Sequence, residues 1–303
     1  MRENSLKSYL MILSAMLIFS TLGIFRRYIP LSSGMLACTR GFLGSAFLLL
    51  FIFLRGRKLP NLGKRNLFLL AITGALIGVN WIFMFEAYNY TTVAMATMCY
   101  YMQPTIVVLI SPIVLRERIT GKKLACAITA IIGMVFLSGI MEGGKVRAED
   151  MTGMLYALGA AGLYASVIIL NKKIQVEDSY VKTVIQLIFA TLILIPYLLV
   201  TERGNSQNLD MLAIIMVIIV GIVHTGIAYA LYFGSMKELK AQSIAVLSYT
   251  DPVFALILSA LVLHEQLSIF GMLGAVLIIG SALISEISVR KPVSRLSTCQ
   301  DRR

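Results

Sequence analysis

Residues 98–120 read MCYYMQPTIVVLISPIVLRERIT, and residues 246–268 read VLSYTDPVFALILSALVLHEQLS. Laid over one another at an offset of 148 positions, the two stretches align without a gap. Tyr101 falls on Tyr249, Pro104 on Pro252, Ser111 on Ser259, Val114 and Leu115 on Val262 and Leu263, Glu117 on Glu265, and Thr120 on Ser268. In both copies the proline and the glutamate stand 13 residues apart. The register continues upstream, where Gly78 meets Gly226 and Phe85 meets Phe233. A match at one fixed offset over this length marks a duplicated structural unit, and both copies are strongly apolar.

Composition says where such a unit lives. The chain has 303 residues, 58% of them hydrophobic and 14% charged, with a mean hydropathy of +0.84. One soluble core could not hide that much apolar surface. Runs between charges cover 8–25, 41–54 (28–54 if Arg40 is tolerated), 66–85, 87–115, 124–141, 151–171, 183–201, 211–236, 241–263 (interrupted by Asp251) and 266–285. Crossing a hydrocarbon layer of ~30 Å takes a helix of ~20 residues. The pattern therefore predicts an all-α integral membrane protein with ten transmembrane helices. Lipid offers the backbone no hydrogen-bond partner, so helices are the expected solution, and the alternation of a β-barrel strand is missing from these runs. Residues 1–25 have the charged start and apolar stretch of a signal peptide, but no small-residue cleavage site follows. The first segment also echoes the sixth, with Ala15 opposite Ala161, Ser20 opposite Ser166 and Arg26-Arg27 opposite Lys172-Lys173. It is therefore read as a retained helix.

The net charge of +12 is distributed as a topology signal. With the N-terminus in the cytoplasm, the inner segments carry 21 Lys and Arg and the outer loops five, while Arg40 lies within a helix. That bias predicts both termini inside, in a multi-pass cell (plasma) membrane protein, with Cys299 cytoplasmic and the 142–150 loop external. It argues against nucleic acid as a partner. Five crossings per copy force the second copy into the membrane upside down. The expected organisation is a five-helix repeat over 8–141, an inverted one over 151–289, and a basic cytoplasmic tail over 290–303. None of the cysteines (Cys38, Cys99, Cys126, Cys299) forms a C-x-x-C pair, so no disulfide framework or metal centre is expected.

These features resemble the drug/metabolite transporter superfamily, and within it the EamA type. The resemblance covers nearly the whole chain. It rests on ten short helices in two repeats, an arginine early in the second helix (Arg40), and the proline–glutamate spacing of helices four and nine. It implies a carrier without cofactors; similar proteins move amino acids, sugars, nucleotide derivatives or drugs. Two departures stand out. The position before each glutamate, often glycine in the family, is Arg116 and His264, and Asp251 directly before the second proline is not a general family feature.

Candidate site residues follow from the cost of polar groups in a bilayer. Gln103-Pro104 and Asp251-Pro252 read as an N-cap followed by a proline at the first helical position, as if a half-helix began mid-membrane. The competing reading is a packing kink. A carboxylate at the bilayer centre costs on the order of 2.5–3.5 kcal/mol on insertion scales, so Asp251 must be protonated, paired or facing water. His224 is at similar depth in helix eight, which suggests a proton-linked pair; the bland alternative is a cap and a carbonyl bond. Gly78, Trp81 and Phe85 share one helix face, repeated by Gly226, Tyr229 and Phe233; such stripes line cavities or simply pack. Tyr100, Tyr101 and Tyr249 flank the kinks. Arg40 is expected to snorkel outward or else to meet an anionic group or Glu86. Glu117 and Glu265 are expected to be structural, each accepting N–H bonds from the helix that follows it.

No catalytic cluster, metal set or phosphate-binding loop is present in the sequence, and no enzymatic activity is expected. The resulting expectation is a secondary transporter, by family habit an exporter, of small organic metabolites such as amino acids or amphipathic drug-like compounds. Its expected partners are substrate, bilayer and protons, as a monomer or homodimer. The rival readings are a flippase for lipids or lipid-linked sugars and a non-transporting membrane scaffold.

Overall fold

The computed structural model describes residues 2–56, 62–114, 119–138, 141, 147–202, 209–235, 239 and 241–286. The expectations for Glu117, Cys299, residues 142–146 of the inter-repeat loop and the tail 290–303 lie outside the described residues. Every regular element among those described is helical. α1 (Arg2–Ser20) runs into the short α2 (Leu22–Arg27), followed by α3 (Ser33–Leu54), α4 (Lys64–Tyr90), α5 (Val93–Tyr100), α6 (Gln103–Val114) and α7 (Gly121–Leu137). The second half holds α8 (Ala148–Asn171), α9 (Ser179–Thr201) and α10 (Met211–Ile219), which continues through a π-helical segment (Val220–Ile227) into α11 (Ala228–Ser235). It closes with α12 (Ala241–Ser248), α13 (Thr250–Val262) and α14 (Ile269–Glu286).

Helix starts are written in short polar side chains, as orphan N–H groups require. Ser32 accepts from Met35 N at 3.2 Å, Thr92 from Met95 N at 3.1 Å and Asp210 from Ala213 N at 2.8 Å. Seven stretches are long and apolar enough to cross a membrane: Leu6–Arg27, Ser33–Leu54, Lys64–Tyr90, Val93–Val114, Ala148–Asn171, Ser179–Thr201 and Met211–Ser235. Thr250–Val262 and Ile269–Ser285 are shorter apolar helices. Ten crossings were expected. The three missing stretches are α7, which stops at Leu137, the 241–263 segment, which is divided at Tyr249, and the last apolar helix, which is short at Ile269–Ser285.

Packing brings the two sequence halves together. α4 lies against α8 and α9, α3 against α9 and the π segment, α1 against α11, and α7 against α14. Small residues set the closest crossings, as is usual where lipid supplies no hydrophobic drive between helices. A Cβ on Gly274 would stand 2.5 Å from Gly133 O, and one on Gly133 2.8 Å from Gly274 O. α7 and α14 therefore touch backbone to backbone. Side chains there must force the helices apart, whereas a Cβ added to Gly162 in α8 would meet nothing within 4 Å. Gly274→Leu is expected to lower thermal stability in detergent by roughly 1–3 kcal/mol, the usual cost of overpacking. Gly162→Ala is expected to raise it by roughly 0.5–1 kcal/mol, the helix-propensity gain. Melting curves of the two variants check both signs.

Candidate functional site

Both helix breaks sit where the repeat places its prolines. α5 ends at Tyr100 and α6 begins at Gln103; α12 ends at Ser248 and α13 begins at Thr250. Pro104 and Pro252 are the second and third residues of their helices. Proline lacks an N–H, and the first N–H groups of a helix have no intrahelical acceptor anyway, so the rings are accommodated without loss. One expectation is corrected. Gln103 and Asp251 are not caps behind a first-position proline; they lie inside the first turn, and α13 starts without a side-chain cap. Asp251 faces the other half of the molecule, where its Oδ2 accepts from Tyr101 Oη at 2.6 Å. Tyr101 also stands 6.2 Å from the Tyr249 ring and 6.3 Å from Tyr100, centroid to centroid. The two breaks are thus joined by one hydrogen bond and a patch of tyrosine.

Arg40 lies in the same interior. It is 3% exposed, so neither snorkelling nor pairing with Glu86 describes it. Its Nε donates to Thr225 Oγ1 at 3.1 Å, and its guanidinium carbon sits 4.2 Å from the Trp81 ring centroid and 5.5 Å from that of Phe85. Glu86 instead accepts from Asn89 Nδ2 at 3.2 Å. The local reason is the π segment, whose extra residue per turn turns Thr225 onto α3; Thr225 Oγ1 itself donates to Val220 O, five residues back, at 3.2 Å. Gly44 permits the approach, since a Cβ there would lie 2.7 Å from Thr225 Cβ.

His224 points elsewhere. Its Nε2 is 2.8 Å from Thr21 Oγ1, its Nδ1 is 3.4 Å from Ile219 O, and its ring meets Phe25 edge-on at 4.8 Å. The expected proton-linked pair with Asp251 is not formed: each group has its own, different partners. Adjacent residues in a π segment project on different sides, which separates His224 from Thr225. Gln103 Oε1 is buried without a hydrogen-bond partner among the described residues. Tyr229 meets Phe19 edge-on at 5.4 Å and Phe233 at a tilt at 6.0 Å.

A second polar cluster closes the end of the bundle that carries Arg27. Glu265 Oε1 accepts from Val93 N at 3.1 Å and Arg27 Nη2 at 3.2 Å, Oε2 accepts from Ala94 N at 3.2 Å, and Ser259 Oγ also bonds to it. Glu265 therefore serves the start of α5. The expectation that it serves the following helix is corrected: Ser268 caps that helix, accepting from Gly271 N at 3.0 Å. His264, at φ 53°, takes the left-handed backbone that favours glycine and swings Glu265 into place. Around this core, Arg27 bonds to Thr91 O at 3.0 Å, Thr91 Oγ1 to Asp150 Oδ1 at 2.8 Å, and Arg26 to Asn89 Oδ1 at 2.9 Å. The exposed Arg147 guanidinium bonds Asp150 at 2.7 Å, which holds it above its ordinary pKa.

The opposite end is open. A cavity of about 450 Å³ is lined by Lys7, Phe47, Phe51, Arg55, Tyr180 and Gly234, among others. Sequence reasoning missed Thr225, Arg27 and the buried amide network in which Gln186 Nε2 donates to Thr73 Oγ1 at 2.7 Å and Asn80 Nδ2 to Ala160 O at 2.6 Å. The one signal for the π segment was the pair of glycines in VGIVHTGI, weak helix formers that mark it.

Comparison with known proteins agrees with this architecture. The EamA-like transporter family matches residues 6–139 and 151–286. The "Uncharacterized transporter YxxF" of Bacillus subtilis (strain 168) is 28% identical over 265 residues, covering 87% of this chain and 84% of that one. The "Probable amino-acid metabolite efflux pump" of Escherichia coli (strain K12) is 28% identical over 219 residues, covering 69% and 72%. A solved crystal structure superposes with a TM-score of 0.63 at 22% identity, covering 91% of this chain and 95% of its own, so the fold is shared.

Loss of the Glu265 carboxylate leaves two buried N–H groups and Arg27 without their acceptor. Glu265→Ala is expected to lower stability by on the order of 2–4 kcal/mol, and Glu265→Gln by less, as read in thermal melts of the purified protein. A parental melting curve for Glu265→Ala contradicts the bonding described.

Proposed function

This chain belongs to the EamA-like transporter family, and on that premise we propose that it is a secondary transporter of small organic metabolites, such as amino acids or amphipathic drug-like compounds. It works by alternating access between two inverted five-helix halves. On this reading α7, the α12–α13 pair and α14 complete ten crossings with the seven longer stretches. Support comes from the packing, which maps onto itself when the halves are exchanged. α4 lies against α8 as α11 lies against α1, α4 against α9 as α3 against the π segment, and the α3–α9 and α7–α14 pairs straddle the axis. Relatives named as amino-acid metabolite efflux pumps, in Escherichia coli and Salmonella typhimurium, support the cargo class.

The observation that carries the reading is the asymmetry of the two ends. The Arg27–Glu265 end is bonded shut, the Lys7–Arg55 end holds the cavity, and the broken helices meet between them. That is one of the two states an alternating carrier must visit. The 21-to-5 charge split orients the open end to the cytoplasm, the loading side of an exporter in the cell membrane. Asp251 is the coupling group in this scheme. Its bond to Tyr101 bridges the halves, so protonating the carboxylate or releasing it changes what holds the two breaks together. His224 has no part in it.

Two measurements test the proposal. An untargeted comparison of metabolites inside and outside cells, with and without the protein, should reveal at least one small organic compound redistributed by it; identical pools contradict transport. In proteoliposomes under an imposed pH gradient, Asp251→Asn should keep the fold and exchange activity but lose gradient-driven accumulation. Accumulation equal to the parent's removes Asp251 from coupling.

A further inference from the structure

Arg40 is the most costly group in the bundle that its own surroundings do not satisfy. A guanidinium carries five N–H donors. Only Nε is bonded, to Thr225. Among the described residues neither terminal nitrogen makes a hydrogen bond, and the ion pairs are Arg27–Glu265 and Arg147–Asp150. The charge is therefore nearly buried, 3% exposed, with no carboxylate on it. Asp251 is held by Tyr101. The buried unpartnered atoms among the described residues are Arg26 Nε, Ser33 Oγ and Gln103 Oε1, which do not include the terminal nitrogens of Arg40. Those nitrogens consequently face accessible space between the helices.

The open end of the same helix face is cationic as well. Arg40, Gly44, Phe47, Phe51 and Arg55 follow one another down a single face of α3 at helical spacing. Phe47, Phe51 and Arg55 line the open cavity together with Lys7, and among the described residues no acidic side chain does. Two cations therefore stand at the cavity, aromatic rings form its walls, and farther along the same face of α3 the Arg40 guanidinium lies over the Trp81 ring. Such a gradient admits anions and repels free cations. One fork without a second cation beside it matches a monoanion, and the rings around it match an apolar body.

We propose that Arg40 docks the carboxylate of an amphipathic organic acid whose apolar or aromatic part packs on Trp81, Phe85 and Tyr229. This rests on the transport reading above and names its substrate class. The bound carboxylate takes the free guanidinium edge as a bidentate pair, the geometry that arginine offers and lysine does not. It also supplies the countercharge that Arg40 lacks among the described residues, so loading and neutralisation are one event.

Trp81 is the only tryptophan in the chain, so intrinsic fluorescence reports this site directly. The test is a titration of the purified full-length protein, in detergent free of anionic lipid, with phenylacetate, phenylacetamide, phenethylamine and phenylphosphonate. Phenylacetate should change the Trp81 signal saturably and bind at least roughly tenfold tighter than its neutral amide, as a hydrogen bond to a charged group implies. Arg40→Met should abolish that preference while melting no lower than the parent, because an apolar side chain replaces an uncompensated buried charge. Arg40→Lys, which keeps the charge and loses the fork, should fold and weaken phenylacetate binding by about tenfold. Equal binding of acid and amide, retained preference in Arg40→Met or Arg40→Lys, or collapse of Arg40→Met beside an unchanged Arg40→Lys would each overturn the assignment. Tighter binding of phenylphosphonate would overturn the carboxylate. A protein that exchanges metabolites but shows no acid preference loses this inference alone, whereas one that binds the acid and moves nothing loses the transport reading.

Discussion

Hydrocarbon gives a peptide group nothing to bond to, and that constraint organises the whole molecule. A helix interrupted in the middle of a bilayer exposes N–H and C=O groups that only protein can satisfy. The two interruptions, at Tyr101 and Tyr249, are accordingly turned toward each other and away from the lipid-facing surface. Their prolines remove N–H groups that would otherwise be orphaned. At the bundle's end the same need is met by Glu265, which gives the first N–H groups of α5 a carboxylate and draws Arg27 in as its countercharge. Satisfying one helix start in this way ties the end of α2, the start of α5 and the end of α13 into a single closure.

Charge obeys the same logic less completely. Glu265 and Asp150 each have a cation beside them, and Asp251 has a phenol. Arg40 has a hydroxyl and two rings, which lower the cost of its burial without cancelling it. A soluble core would not retain such a group; a carrier has use for it, since an unsatisfied interior selects what can enter. On the proposed transport reading, the difference between the closed and open ends determines the side from which a substrate comes in.

The apolar runs, the duplication and the two breaks were legible in the sequence because each is a local property: length, period and the missing N–H of proline. What was not legible is nonlocal. Glu265 was read as serving the next helix, as adjacency suggests, but its backbone donors are 171 and 172 residues away in the chain. Arg40 was expected to snorkel because a single helix in lipid has only the interface as an alternative; in the bundle, Trp81 and Thr225 supply another. His224 and Asp251 looked paired by depth alone, and depth says nothing about direction. The π segment rotates side chains by an amount that no hydropathy pattern records, and so Thr225 rather than His224 reaches Arg40. His264 shows the reverse case: a departure from the family's glycine became intelligible only when its φ of 53° was seen.

The central claim is that the sealed and open ends exchange roles about the joined helix breaks. Spin-label distances on two pairs in reconstituted protein test it most directly. One pair, Tyr28→Cys with Ile269→Cys, flanks the Arg27–Glu265 closure at exposed positions. The other, Lys7→Cys with Arg55→Cys, stands at exposed positions on the lining of the cavity. With a transported metabolite present, the account predicts a second, longer distance across the closure that grows in step with a shorter one across the cavity. A single unchanged distance at both pairs, in protein that binds the metabolite, would contradict it.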